Sequence, residues 1–197
     1  MTADLDATID ELDHARAQEY ALLATLLARH PDAGMLQRLV QLGGDDSPLG
    51  AAHAALGAAA ASASAETVRR EYFDLFAGLG ESGLMPYASF YLAGSLYGRP
   101  LERLRETLQR LGIERVAQSE PEDHAAVICE IMASMVGGTI AVPAGTDREF
   151  FKTHVAPWIG SFFADLEKSN ATAFYARVGA LGRLFIDIET EAFAFTN

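Results

Sequence analysis

Apolar side chains recur along this chain at three- and four-residue intervals for most of its length, the spacing of helices with one buried face. Leu5, Ile9, Leu12, Leu23, Leu26 and Leu27 form the first stripe, which ends at His30-Pro31. A short helix is predicted around Met35–Leu42, followed by a break at Gly43–Pro48, "GGDDSP". Clustered Gly, Asp, Ser and Pro are loop chemistry. Leu49–Ala65 is rich in alanine and poor in large side chains. A helix there would bury little area, so the 43–65 region is expected to be peripheral and mobile.

Thr67–Phe76, "TVRREYFDLF", predicts a strong helix with Val68, Tyr72, Leu75 and Phe76 on one face. Gly78–Pro86 is a loop with glycines at 78, 80 and 83, and "YASFYLAGSLYG" follows it. Pro100 suits a first helical turn. The helix after it, Leu101–Leu111, carries Leu101, Leu104, Leu108 and Leu111 at helical spacing and stops at Gly112. Arg115–Ser119 links to a further helix that opens within "SEPEDHAAVICEIM" and runs to about Val136, before Gly137-Gly138. Beyond the loop "TIAVPAGT", Thr146 and Glu149 have capping-box spacing for a helix from about Asp147. Pro157 opens another helix through Trp158, Phe162, Phe163 and Leu166. The last helix runs roughly from Thr172 to Ala194 with Phe174, Val178, Leu181, Phe185 and Ile188 as its stripe.

No run of alternating strands with hairpin turns is present, and "GTIAVP" is too short to build a sheet. No fixed-period repeat is visible. The fold class is therefore all-α, one domain over residues 1–197 built as a single bundle of about eight to ten helices.

Composition narrows the partners. The chain has 197 residues and a formal net charge of -12, a poor match for nucleic acid, whose phosphates demand Lys/Arg patches. A cationic partner suits it better. Cys129 is the single cysteine, so an internal disulfide framework is impossible and a reducing compartment is expected. The acidic N-terminus has no basic n-region or apolar h-region, so it is not a secretory signal. No charge-free stretch of about 20 apolar residues predicts a transmembrane helix. These features point to the cytoplasm.

Chemistry concentrates at Glu120, Glu122, Asp123 and His124. In one reading they only start a helix: Ser119 and Glu122 have S-x-x-E spacing, and carboxylates in a first turn complement the helix dipole. Yet Asp123 and His124 go beyond what a cap needs, and no Lys or Arg lies between Val116 and Asp147. Such a negative spot would hold adjacent arginines of a peptide by charge-assisted hydrogen bonds. Metal binding is not indicated, because no H-x-x-x-H is present and Cys129 lies off the face of His124. Catalysis is not indicated either: G-x-S-x-G is absent, and Cys129 in its apolar run reads as core.

Tyr87, Phe90, Tyr91 and Tyr97 bring four aromatics into eleven residues. Phe90 and Tyr97, seven apart, fit core packing; tyrosines equally suit the lining of a groove for an apolar peptide. The glycines at 78, 80 and 83 are followed by no Lys and preceded by a helix, which fits neither a phosphate loop nor a dinucleotide fingerprint. They read as a hinge.

With these landmarks in place the sequence resembles the TorD/DmsD family of redox-enzyme maturation chaperones. "EYFDLF", "LMPYASFYL", "GRPLERLRETLQRLGI" and "EPEDHAAVICEIM" carry the resemblance in that order, and "FFKTHVAPWIGSFFADL" fits the later F…H…PW…F pattern. The resemblance spans roughly residues 66–190, and its most specific element is E-P-x-D-H, Glu120 to His124. It implies an all-α fold and a non-enzymatic cytoplasmic chaperone. The implied partner is the twin-arginine signal peptide of an exported molybdenum-cofactor oxidoreductase subunit, such as a formate dehydrogenase or an S- or N-oxide reductase, held back until its cofactor is inserted. It further implies leader binding by Asp123 and His124, by Pro86 and Tyr87, and by Tyr72, Leu75 and Phe76. Tyr at 72, 87 and 91 stands where some members have Trp. Some members bind GTP and some exchange helices, so a GTP-dependent activity and a monomer or domain-swapped dimer are implied alternatives, with 137–145 as the hinge. The NarJ branch of the superfamily suggests another, an assembly factor for the mature body of a cytoplasmic subunit.

Overall fold

The computed structural model describes residues 2–76, 83–114, 120–169 and 173–195, with side chains from Glu11 to Ala194. The expectations placed on Gly78, Gly80, Ser119, the 115–119 link, Thr172 and the side chains of Leu5 and Ile9 lie outside the described residues. Among the described residues there are ten α-helices, one π-helical turn and no strand. In chain order these begin with α1 (Thr2–Ala28), α2 (Ala33–Val40), α3 (Pro48–Ser62), α4 (Ala65–Phe76) and α5 (Ala88–Ala93). There follow α6 (Arg99–Arg110), α7 (Ala125–Val136), α8 (Thr146–Phe150), the π-helix Phe151–Val155, α9 (Ile159–Lys168) and α10 (Phe174–Phe195). The all-α expectation holds.

The chain folds as two compact units, each drawn from two stretches of sequence. The first comprises Met1–Ala28 and Tyr87–Pro157. Its centre is α7, which packs along α1 and buries Ala125 to Cys129, Ile131, Met132 and Met135. Tyr20, Leu23, Leu26 and Leu27 of α1 are buried, whereas Leu12, expected in the same stripe, is 62% exposed. Gly137, at the end of α7, lies so near α1 that a Cβ would stand 3.2 Å from that of Ala17. α6 follows its sequence pattern: Pro100 sits in the first turn and Leu101, Leu104 and Leu108 are buried. The Thr146–Glu149 capping box does not form. Gly145 is the N-cap, in the left-handed conformation, and no side chain caps α8. The helix therefore starts one residue early, at Thr146 itself. Nor does Pro157 open a helix: it lies in the turn between the π-helix and α9.

The second unit comprises Arg29–Pro86 and Trp158–Asn197. α10 packs against α9, α3 and α4, and α3 also packs on α2. The alanine-rich α3 is thus central rather than peripheral. Its small residues allow close approach: a Cβ on Gly57 would stand 3.1 Å from the Leu39 carbonyl of α2. Ser47 caps α3 by accepting the Gly50 N–H at 3.0 Å, and Asp32 caps α2 by accepting that of Met35 at 2.7 Å. Phe174, Val178, Leu181 and Phe185 of α10 are buried as their spacing predicts, but Ile188 is 40% exposed. Ile186 and Glu189 take the inward positions of that stretch instead. The start of α10 is capped from α4: the Glu71 carboxylate accepts the N–H groups of Ala173, Phe174 and Tyr175 at 3.1–3.4 Å. A carboxylate on three orphan donors at a helix start matches both hydrogen-bond demand and dipole.

Candidate functional site

Residues 120–124 do not form the first turn of α7; they precede it. His124 is the N-cap, extended at φ -67 and ψ 138, and its Nδ1 accepts the Ala126 N–H at 3.1 Å. The reason for the late start is a tertiary pairing. Tyr87 and His124 form an isolated antiparallel bridge, and the Ala88 N–H donates to the Asp123 carbonyl at 2.9 Å. The Asp123 carboxylate then accepts the Ser89 N–H at 2.9 Å. Asp123 thus satisfies the first two donors of α5, whose own N-cap, Tyr87, offers no side-chain bond. A helical 120–124 would surrender these contacts.

The two motifs that looked separate in sequence therefore meet. The Tyr87 ring stands edge-on to His124, centroids 5.1 Å apart and planes at 80°, and its hydroxyl donates to Glu120 Oε2 at 2.7 Å. Burial, aided by the Glu120 hydrogen bond and charge, holds the Tyr87 phenol well above the usual tyrosine range. It is a neutral donor at any physiological pH.

The acids are not left without partners, contrary to expectation. Arg105 of α6 donates Nε to Glu122 Oε2 at 2.8 Å, with a second guanidinium nitrogen at 2.8 Å. The cation arrives from seventeen residues upstream, outside the Arg-free window. Asp123 is 1% exposed, with its carboxylate engaged by the Ser89 N–H. Glu120 remains exposed. The Arg105–Glu122 pair walls an open groove of about 320 Å³ lined also by Leu108, Gln109, Gly112, Ile113 and Glu114.

α5 itself presents the feature that spacing concealed. It ends at Ala93, where Gly94 turns left-handed at φ 71, so Phe90 and Tyr97 share no helix. Instead of packing in the core, Phe90 is 40%, Leu92 47%, Leu96 38% and Tyr97 59% exposed. Four large apolar side chains within eight residues make a contiguous-in-sequence apolar lip. Tyr91 is half-buried, its ring 5.8 Å from that of Phe90. The signal for the lip was the Ala-Gly-Ser interruption after Leu92, which breaks the helical register.

Tyr72, Leu75, Phe76 and Pro86 belong to the second unit. Tyr72 and Phe76 pack ring to ring at 5.0 Å, and each meets the buried Tyr175 at 5.8 and 5.7 Å. Leu75 and Pro86 are buried.

Two other groups have settled chemistry. Cys129 is fully buried and burial pushes its thiol up to about 12, so it is inert core. His154, on the π-helix, contacts Thr107 at 2.9 Å through Nε2. Thr107 Oγ1 receives Arg110 at 3.0 Å and gives its one proton to the Arg103 carbonyl at 3.1 Å. Burial, then the Arg110 charge, lowers its pKa below the usual histidine value. Among the described residues no cluster of three His, Cys, Asp or Glu could hold a metal ion, and no helix is long and apolar enough to cross a membrane.

Comparison with known proteins gives a consistent picture. The family described as nitrate reductase delta subunit matches residues 43–164, more than half of the chain. The chaperone protein TorD of Shewanella sp. (strain MR-4) is 25% identical over 191 residues, covering 87% of this chain and 90% of that one. The TorD of Aliivibrio fischeri is 26% identical over 135 residues, 63% of each chain. That of Vibrio vulnificus (strain YJ016) is 32% identical over 116 residues, 53% of this chain and 54% of its own. The match thus spans less than two thirds of the last two relatives. A crystal structure assigned to redox enzyme maturation in Archaeoglobus fulgidus superposes with a TM-score of 0.58 at 22% identity, over 87% of this chain and 93% of that one, and shares the fold.

Proposed function

The chain belongs to the nitrate reductase delta subunit family, on its TorD branch of chaperones rather than enzymes, and from that premise we propose that it binds the twin-arginine signal peptide of a molybdenum-cofactor oxidoreductase subunit. It holds that subunit in the cytoplasm until the cofactor is in place, and then yields it for export. The observation that carries this reading is the lip at Phe90, Leu92, Leu96 and Tyr97. Four exposed apolar side chains on a backbone pinned by the Asp123 segment are a preorganised surface for something apolar.

A signal peptide has the matching chemistry: a cationic stretch followed by about 7–15 apolar residues. Its apolar stretch packs on the lip, and the exposed Glu120 carboxylate, beside Tyr87, attracts its arginines. Burying apolar area supplies most of the affinity, at roughly 25 cal/mol per Å². An exposed ion pair adds about 0–1 kcal/mol and weakens with salt.

The test is fluorescence polarisation with a labelled twin-arginine leader. Replacing its apolar stretch with serines should abolish binding; replacing its arginines with glutamines should weaken it severalfold, with the difference shrinking at high salt. A leaderless client subunit that bound as tightly as the full-length one would overturn the proposal in favour of recognition of the mature body.

A further inference from the structure

Ser89 is one of the few fully buried polar residues, at 0% exposure. Its backbone N–H is held by Asp123 Oδ2 at 2.9 Å. Its hydroxyl accepts the N–H of Tyr97 at 3.0 Å. Tyr97 is the one non-glycine residue with positive φ among the described residues, at 68°. That conformation costs an L-residue roughly 1–2 kcal/mol. Gly94 and Gly98 on either side adopt it at φ 71 and 74 without a Cβ to object. Tyr97 is 59% exposed, so burial of its ring does not offset the strain. Backbone strain that persists at a non-glycine residue is held by its surroundings and concentrates at working surfaces.

We propose that Ser89 is the positioning residue of the lip: anchored by Asp123, its hydroxyl locks Tyr97 in the left-handed conformation that keeps the 94–98 bend open and its apolar side chains exposed. The inference rests on the leader-binding reading above and gives the Asp of the E-P-x-D-H motif a specific task. Asp123 touches no leader. It fixes Ser89, Ser89 fixes Tyr97, and Tyr97 with its neighbours receives the apolar stretch.

The experiment is a double-mutant cycle on the full chain, read by leader affinity and by amide exchange. Ser89→Ala keeps the backbone bond to Asp123 and removes only the hydroxyl acceptor. It should weaken a fluorescent twin-arginine leader about 5–10-fold and speed exchange of the Tyr97 amide. In the Tyr97→Gly background, where the bend carries no strain, the same change should cost less than twofold. A residue that merely supported the fold would give losses that multiply. Multiplying losses, an unchanged affinity for Ser89→Ala, or an unchanged Tyr97 exchange rate would each overturn the proposal. If the wild-type chain bound no leader at all, the leader reading would fall on its own, and the exchange rate of Tyr97 would still decide for or against the Ser89 latch.

Discussion

Asp123 in the first unit and Glu71 in the second do the same local work to opposite ends. Each is a carboxylate that reaches across a long sequence interval to cap a helix it does not belong to. Asp123 takes the Ser89 N–H at 2.9 Å; Glu71 takes those of Phe174 and Tyr175 at 3.1 and 3.4 Å. Behind the Glu71 cap stand Phe174, Tyr175, Val178 and Leu181, all at 0% exposure. That helix is anchored in order to build a core. Behind the Asp123 cap stand Phe90 and Leu92 at 40% and 47%. That helix is anchored while its apolar side chains stay in water. An anchor that does not lead to burial makes sense when the burial comes later, with a partner.

Removing each cap tests this contrast most strongly. Asp123→Ala leaves a fully buried N–H without an acceptor, which should cost about 2–3 kcal/mol of stability in urea denaturation. It should also weaken the leader at least tenfold. Glu71→Ala removes an N-terminal cap, at about 1–2 kcal/mol, and should leave leader affinity within twofold. If the two variants hurt leader binding equally, the contrast between a core-building and a surface-presenting anchor is lost.

Acid separates the units a second way. In the first unit, the folded-state pKa of His154 lies below the unfolded value of about 6.5. The unfolded chain then binds more protons between those two values, so stability falls as pH drops through that window and is flat above it. In the second unit, Arg183 holds the Glu167 carboxyl below its usual range, first by a hydrogen bond. That contribution is intact above about 4.5 and is lost only as pH falls through the lowered folded value. Amide exchange, corrected for its intrinsic pH dependence, should thus show α8 and the π-helix loosening as pH falls below about 6.5 while α9 and α10 remain protected. His154→Gln should remove the difference. Simultaneous loosening in the wild type would mean that His154 does not set the acid response.

The sequence was readable where local pattern and tertiary demand agree. Leu101, Leu104 and Leu108 lie on one face of α6 after Pro100, and nothing elsewhere in the fold contradicts them. The all-α class was accessible in the same way, whereas the pairing of Tyr87 with His124 left no local signal. Reading failed where a distant group overrode the local pattern. The Glu120–His124 segment reads as a helix opening, yet Asp123 accepts the N–H groups of Ala88 and Ser89, and the helix waits until Ala125. The absence of Arg between Val116 and Asp147 suggests bare acids, yet Arg105 supplies the cation from another helix. Phe90 and Tyr97 suggest one buried stripe, yet the left-handed Gly94 ends the helix between them. α3 suggests a bystander because alanines bury little individually, yet the missing Cβ of Gly57 lets α2 come close.

The smallest change is the sharpest test of what the exposed side of α5 is for. Leu92→Ser sits at 47% exposure with its backbone in a capped helix, so stability should move by no more than about 0.5 kcal/mol. On binding, the remaining half of a leucine side chain would be covered, which is worth about 1 kcal/mol, or roughly fivefold in leader affinity. Leu12→Ser supplies the control. It is an equally apolar residue, 62% exposed on α1 of the same unit, and belongs to no capped, strained or motif-bearing segment. Its replacement should leave both stability and leader affinity where they are. A loss at Leu12 equal to that at Leu92 would mean that any exposed leucine suffices, and that the anchoring of α5 by Asp123 has no bearing on what the chain recognises.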